Sequence, residues 1–301
     1  MSGTGTLDMK TRDGIRRDVL TFLLVLVVLS TGLFVLFFTY GESIPLVFAM
    51  MWSPGIAAIV TRAIHRSGLR DFGWSWGGTR FQVAAFVLPL VLCLVVYGFT
   101  WLTGLGGASI ADYSTYGTDI VYRLGLTGAL GFAVALVLQV LYSLPAYSLF
   151  ILGEEIGWSG LLTPQLARLT SFFKTSLIVG FVWAAWHYPA MIGGFYGIGD
   201  RSLWFTMPCF TAILVGCSFV RTWLRLKSGS LWVGVFLHFS HNLFIQDVFG
   251  PITVDRGPTP YIVSEFGVGL AVAYSVAAFL LWKRRSELPK ASGPAPGLST
   301  T

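Results

Sequence analysis

The sequence predicts an all-α, polytopic membrane protein of about eight transmembrane helices with a polar site inside the bundle. Three observations predict it. Of 301 residues, 54% are hydrophobic and only 11% charged, against about 25% charged in a soluble domain. Such a chain cannot cover itself with polar surface. Apolar runs of about 20 residues, the length needed to cross a bilayer, recur along the chain. Basic residues bunch in the short segments between those runs, the pattern that orients membrane proteins. Backbone groups in hydrocarbon must be satisfied within the segment, so open-ended runs of this kind are helices.

The elements follow in order. Lys10, Arg12, Arg16 and Arg17 lie in a cytoplasmic N-terminal segment, 1–18, ahead of the first run, 19–40. That run is longer than a signal-peptide core and no small-x-small cleavage site follows it, so it reads as a retained helix. The second run is 44–64; a basic loop follows, with Trp74 and Trp76 suited to the membrane interface, and the third run is 81–103. Residues 104–119, rich in Gly, Ser and Tyr, read as an external loop that closes an N-terminal part, 19–120. The region 121–250 holds the fourth to seventh runs, 124–152, 171–192, 203–226 and 231–249, and is the expected catalytic core. A last loop and the eighth run, 261–282, make up 251–284, and the Pro-, Gly- and Ser-containing tail 285–301 is expected to be disordered.

Assigned alternately, one side of the membrane receives almost every Lys and Arg, including Arg62, Arg66, Arg168, Lys174, Arg221, Arg225 and Lys283. The other side receives Arg123, Arg201 and Arg256. The positive-inside rule then places both termini in the cytoplasm of a cell whose plasma membrane holds the chain. The same distribution accounts for the formal charge of +6 through topology and excludes a nucleic-acid partner. Cys93, Cys209 and Cys217 lie inside apolar runs without a C-x-x-C pair, as packing residues do.

Ionisable groups at membrane depth are costly and by default signal function. Glu154 and Glu155 close the fourth run within Gly153-Glu-Glu-Ile-Gly-Trp-Ser-Gly160. Neighbouring side chains on a helix point about 100° apart, so the two carboxylates serve different partners. The alternative is that both mark the polar end of the span. His187 lies in Phe181-Val-Trp-Ala-Ala-Trp-His-Tyr-Pro189, where a structural histidine is the competing reading. His238 and Asn242 stand four apart, on one helix face, and both can donate to a developing oxyanion. Polar ties between helices are the competing reading there. His241 adds a further polar contact, whereas His65 belongs to the second loop. Together these types form a hydrolase set: Glu154 as base toward water, His187 to orient it or protonate the leaving amine, His238 and Asn242 to hold negative charge. Counted from the nearest polar flank, His187 lies about 13 residues, roughly 20 Å, into its run, and His238 about 8 residues, roughly 12 Å.

The stretch Glu154-Glu155-Ile156-Gly157-Trp158-Ser159-Gly160, then Leu161-Leu162-Thr163-Pro164-Gln165-Leu166, His187, and His238-x-x-x-Asn242 resembles the CAAX-protease and bacteriocin-processing family, also called the Abi family. The resemblance covers about 124–249. It implies a membrane-embedded endopeptidase in which Glu154 and His187 activate water, His238 and Asn242 form the oxyanion site, and Glu155 matches the second glutamate of the first motif. Two positions depart from the family pattern: Ser159 stands where arginine is usual, and Trp183 where phenylalanine is usual. Arg168 and Lys174 are the candidates to replace the missing cation.

No metal or organic cofactor is expected. The alternative is a zinc protease with Glu154, His187 and His238 as ligands, although no His-Glu-x-x-His is present. The expected partners are the lipid bilayer and a membrane-anchored or leader-bearing peptide. The readings from another class are a non-catalytic immunity protein or scaffold, or a transporter, for which inverted repeats with broken helices would speak.

Overall fold

The computed structural model describes residues 9–111, 113, 121, 123–197, 199 and 201–289. The expectations for residues 1–8, for 112 and 114–119 of the 104–119 loop and for the tail from 290 lie outside the described residues. Helix α1 spans Met9–Tyr40 and α2 Ile44–Ile64, with Pro45 in its first turn. Helix α3 spans Thr79–Leu102, α4 Gly128–Glu155, α5 Thr163–Leu169 and α6 Phe172–Ile192. Helix α7 spans Leu203–Ser228, α8 Trp232–Asn242 and α9 Val268–Lys283. Strands β1, Gly106–Ala108, and β2, Thr253–Asp255, pair antiparallel in the loops after α3 and α8.

The protein is an all-α, multi-pass membrane protein, and each of the eight expected runs contains a helix. Five helical segments, α1, α2, α3, α4 through α5, and α7, are long and apolar enough to cross a membrane by themselves. Helix α6 carries Trp, His, Tyr and Pro in its second half, α8 has 11 residues and α9 has 16. Helix α1 starts at Met9 rather than 19 and α4 at Gly128 rather than 124, and two further boundaries differ from expectation. The fourth run does not end near 152 but stays helical to Leu169. The last helix starts at Val268 rather than 261, because Ser264 takes φ 75°, a left-handed conformation no helix tolerates.

Two segments widen into π-helical turns, Ile156–Leu162 and Leu243–Phe249. Each begins at the residue after a candidate site residue, Glu155 and Asn242. Wide turns of this kind gather at functional sites. Pro164 explains part of the first. It has no N–H to return to the carbonyl of Ser159 five residues back, and Arg225 Nε takes that carbonyl instead at 2.8 Å.

Helix α2 packs on α1 and α4, α8 on α3 and α4, and α7 on α6 and α9. Lipid is as apolar as leucine, so close backbone approach and polar ties must hold such a bundle. Gly153 shows the first. A side-chain carbon there would lie 2.7 Å from the Trp52 Cα and 2.8 Å from the Met51 carbonyl, so only glycine lets α4 reach α2. Asp18 shows the second. It accepts from Arg62 at 3.3 Å, Gln165 at 3.0 Å and His65 at 2.5 Å, joining α1, α2 and α5 at one end. The loop at Phe72 and the end of α7 meet at that same end, through Arg225 Nη2 and the Phe72 carbonyl at 3.3 Å. The strand pair lies at the other.

Candidate active site

Glu154 and Glu155 are 1% and 0% exposed, so they lie inside the bundle and do not mark its polar rim. As their spacing required, they face different neighbours. Glu154 Oε2 accepts from the indole N–H of Trp158 at 3.1 Å and of Trp183, on α6, at 2.8 Å. Its other oxygen receives no hydrogen bond from a described residue. Glu155 Oε1 accepts from Arg221 on α7 at 3.1 Å and faces His238 Nδ1 on α8 at 3.3 Å. Its Oε2 accepts from Ser159 at 2.5 Å.

Gly234 makes this contact between α4 and α8 geometrically feasible. A β-carbon there would run into the Glu155 carboxylate and the Ser159 hydroxyl. A smaller residue than arginine at 159 therefore fits a tight crossing, and the cation comes from elsewhere. Arg168 and Lys174 are exposed and do not supply it. Arg221 does; its side chain is 1% exposed, and its guanidinium also lies over the Trp183 ring at 4.5 Å. Arg221 and Arg225 lie near the end of their apolar run, where a charge is ordinary; their spacing of four puts both on one helical face, and the packing of α7 turns that face inward.

Trp183 is the hub of the arrangement. Its ring centroid lies 5.1 Å from that of His238 and 6.3 Å from that of His187, one turn on along α6. The two histidines, from separate helices, thus neighbour one indole. His187 Nδ1 sits 2.9 Å from the Trp183 carbonyl. A carbonyl only accepts, so Nδ1 carries the proton and Nε2 is the free acceptor of the neutral ring. By the same reasoning the proton on His238 Nδ1 points at Glu155, and its Nε2 can donate only when the ring is cationic. Glu154 acts electrostatically on both histidines.

Asn242 follows His238 by one turn on α8, half-buried, and makes no hydrogen bond among the described residues. His241 diverges from the set, with Nδ1 2.8 Å from the Tyr274 hydroxyl on α9. Among the described residues no three His, Cys, Asp or Glu side chains are grouped to hold a metal ion. For the alternative zinc set, one Glu154 oxygen and the Nε2 atoms of His187 and His238 are left without a protein partner among the described residues, but these side chains do not form such a group. A groove of about 1200 Å³ between α6, α7 and α9, lined by Leu177, Tyr188, Trp204, Met207 and Phe279 among others, contains none of the candidates.

Residues 136–244 match the family model described as type II CAAX prenyl endopeptidase, Rce1-like. Over this segment the chain is similar to the CAAX-protease and bacteriocin-processing family. All five candidates and Arg221 fall inside the family segment. A curated relative, CAAX prenyl protease 2 of Methanococcus maripaludis, is 31% identical over 141 residues, covering 46% of this chain and 48% of the relative. The chain thus aligns with about half the length of that family member. No solved structure matches it significantly.

Proposed function

We propose that this chain is an intramembrane endopeptidase that hydrolyses a peptide bond in a membrane-associated substrate, using water activated by Glu154 without a metal ion. One observation carries the reading. Two indole donors fix one oxygen of a buried carboxylate and leave the other without a protein donor, beside two histidines from separate helices. A carboxylate aimed in this way takes the proton of a water held against it. His187, with Nε2 free as acceptor, orients that water and afterwards carries a proton toward the leaving amine. His238, held through Nδ1 by Glu155, turns Nε2 on the carbonyl oxygen and donates to it when the ring is protonated, and Asn242 adds an amide donor from the next turn. Glu155, Arg221 and Ser159 hold His238 in place and touch no reacting atom. No step here is routed through zinc.

The name of the relative suggests the first substrate to try, a peptide ending in a prenylated CAAX tail. A leader-bearing peptide is the second. We place the chain in the plasma membrane with both termini cytoplasmic, since the ends joined by Asp18 and by Arg225 are those rich in Lys and Arg. Purified protein incubated with both peptides in detergent tests the reading. We expect one to be cleaved by the native chain and neither by Glu154→Ala, with both proteins equally folded. Cleavage by the variant rejects Glu154 as the base. Unchanged activity after chelation, with no stoichiometric metal by elemental analysis, separates this reading from a zinc protease.

A further inference from the structure

Another buried acid, beyond the matched segment, is joined to the site. Glu265, in the turn before α9, is 4% exposed. Its Oε2 accepts from the Tyr196 hydroxyl at 2.5 Å and its Oε1 from Gln246 at 2.6 Å. His241 Nε2 stands 3.8 Å from the same Oε1. Tyr196, just beyond α6, lays its ring against His187 with centroids 5.4 Å apart. Trp186 and Phe210 close on the same imidazole at 4.7 and 5.2 Å. The imidazole is thus bounded by aromatic rings, of which Tyr196 is fastened by Glu265 and Trp183, 6.3 Å away, by Glu154.

The backbone that carries Glu265 is itself fixed. Ser264 sits at φ 75°, a conformation that persists only where surroundings impose it. They do so here from two helices. Ser264 N–H donates to the Tyr97 hydroxyl of α3 at 3.2 Å. Arg201, two residues ahead of α7, donates to the Ser264 hydroxyl at 3.2 Å and to the Pro260 carbonyl at 2.5 Å.

We propose that Glu265 is a positioning residue for the active site, holding Tyr196 as a wall that sets the angle of the His187 ring. The inference rests on the protease reading for its kinetic consequence and on geometry alone for its structural one. The geometry explains a separation of labour: Glu155 secures His238 from α4, and Glu265 secures His187 from the opposite end of the bundle. Displacing a reacting group by an ångström costs on the order of a hundredfold in rate.

The test uses the full chain labelled with ¹⁵N-histidine in detergent micelles, with the His187 ring signals assigned by His187→Asn. Tyr196→Phe keeps the ring and deletes the hydroxyl; Glu265→Gln keeps an acceptor and deletes the charge. We expect both to move the His187 ring signals and to lower kcat on the cleaved peptide about tenfold to a hundredfold, with KM within about twofold. The double variant should be no worse than Tyr196→Phe, because the two act through one bond. Glu265→Ala should exceed Glu265→Gln. Unchanged His187 signals in Tyr196→Phe and Glu265→Gln, or kcat losses that multiply in the double variant, overturn the proposal. If the native chain cleaves no peptide, the protease reading falls, and the ring signals alone decide the positioning claim.

Discussion

Glu155 has no exposed surface, and a carboxylate in that setting stays charged only among donors. Arg221, Ser159 and His238 provide them. Removing one partner of a buried ion pair costs about 3–5 kcal/mol, most of it from the stranded charge. Arg221→Met should therefore lower thermal stability in detergent by about that amount, and adding Glu155→Gln should recover part of the loss. An additive double variant would show that the two groups do not depend on each other. Trp183→Phe keeps the ring over His238 and removes the N–H that points at Glu154. A hydrogen bond to a charged group is worth about 1.5–3 kcal/mol, so peptide cleavage should fall about tenfold to a hundredfold at unchanged fold, measured as kcat. Glu154, His187, His238 and Asn242 were legible in the sequence because polar side chains in apolar runs stand out against their neighbours. Arg221 and Glu265 were not. Both fall near the ends of apolar runs, where a charge is ordinary, and only the packing of α7 and the turn at Ser264 carries them inward.

Helices α4 and α8 meet through Gly234, and the meeting brings His238 to Glu155. Gly234→Val inserts two methyl groups and a β-carbon where the Glu155 and Ser159 oxygens lie. Overpacking of this kind costs about 1–3 kcal/mol, and it should part His238 from Glu155 before the bundle opens. We expect cleavage to be lost while the protein still inserts and purifies as a folded species; full activity would mean that the α4–α8 contact is not required. The existence of each helix was legible from run length, since a bilayer-crossing run leaves the backbone no other option. The π-helical turns after Glu155 and Asn242 were not legible. Pro164 announces a missing N–H, but the answering donor, Arg225, comes from a helix some sixty residues away along the chain. The start of α9 was misplaced for a related reason: the residues around Ser264 are apolar enough for a helix, and tertiary bonds from Tyr97 and Arg201 hold them in a turn.

At the scale of the whole molecule, the bundle has a basic end tied by Asp18 and Arg225 and an opposite end tied by β1, β2 and Arg201. A reporter fused at either terminus should read the cytoplasmic side, and single cysteines introduced in the β2 loop should react with an impermeant reagent added outside intact cells. Termini on opposite faces would refute the orientation. The site itself joins α4, α6, α7 and α8 around Trp183, with Glu155 held by Arg221 and His187 flanked by Tyr196, which Glu265 in the turn before α9 holds. The measurement that bears most directly on this arrangement is peptide cleavage by the purified chain beside Glu154→Gln, a substitution that keeps the shape and the indole contacts of the side chain. We expect the native protein to cleave a membrane-anchored peptide, and the variant, with an unaltered melting temperature, to leave it intact. A variant that cleaves at the native rate would contradict the assignment of Glu154 as the group that activates water.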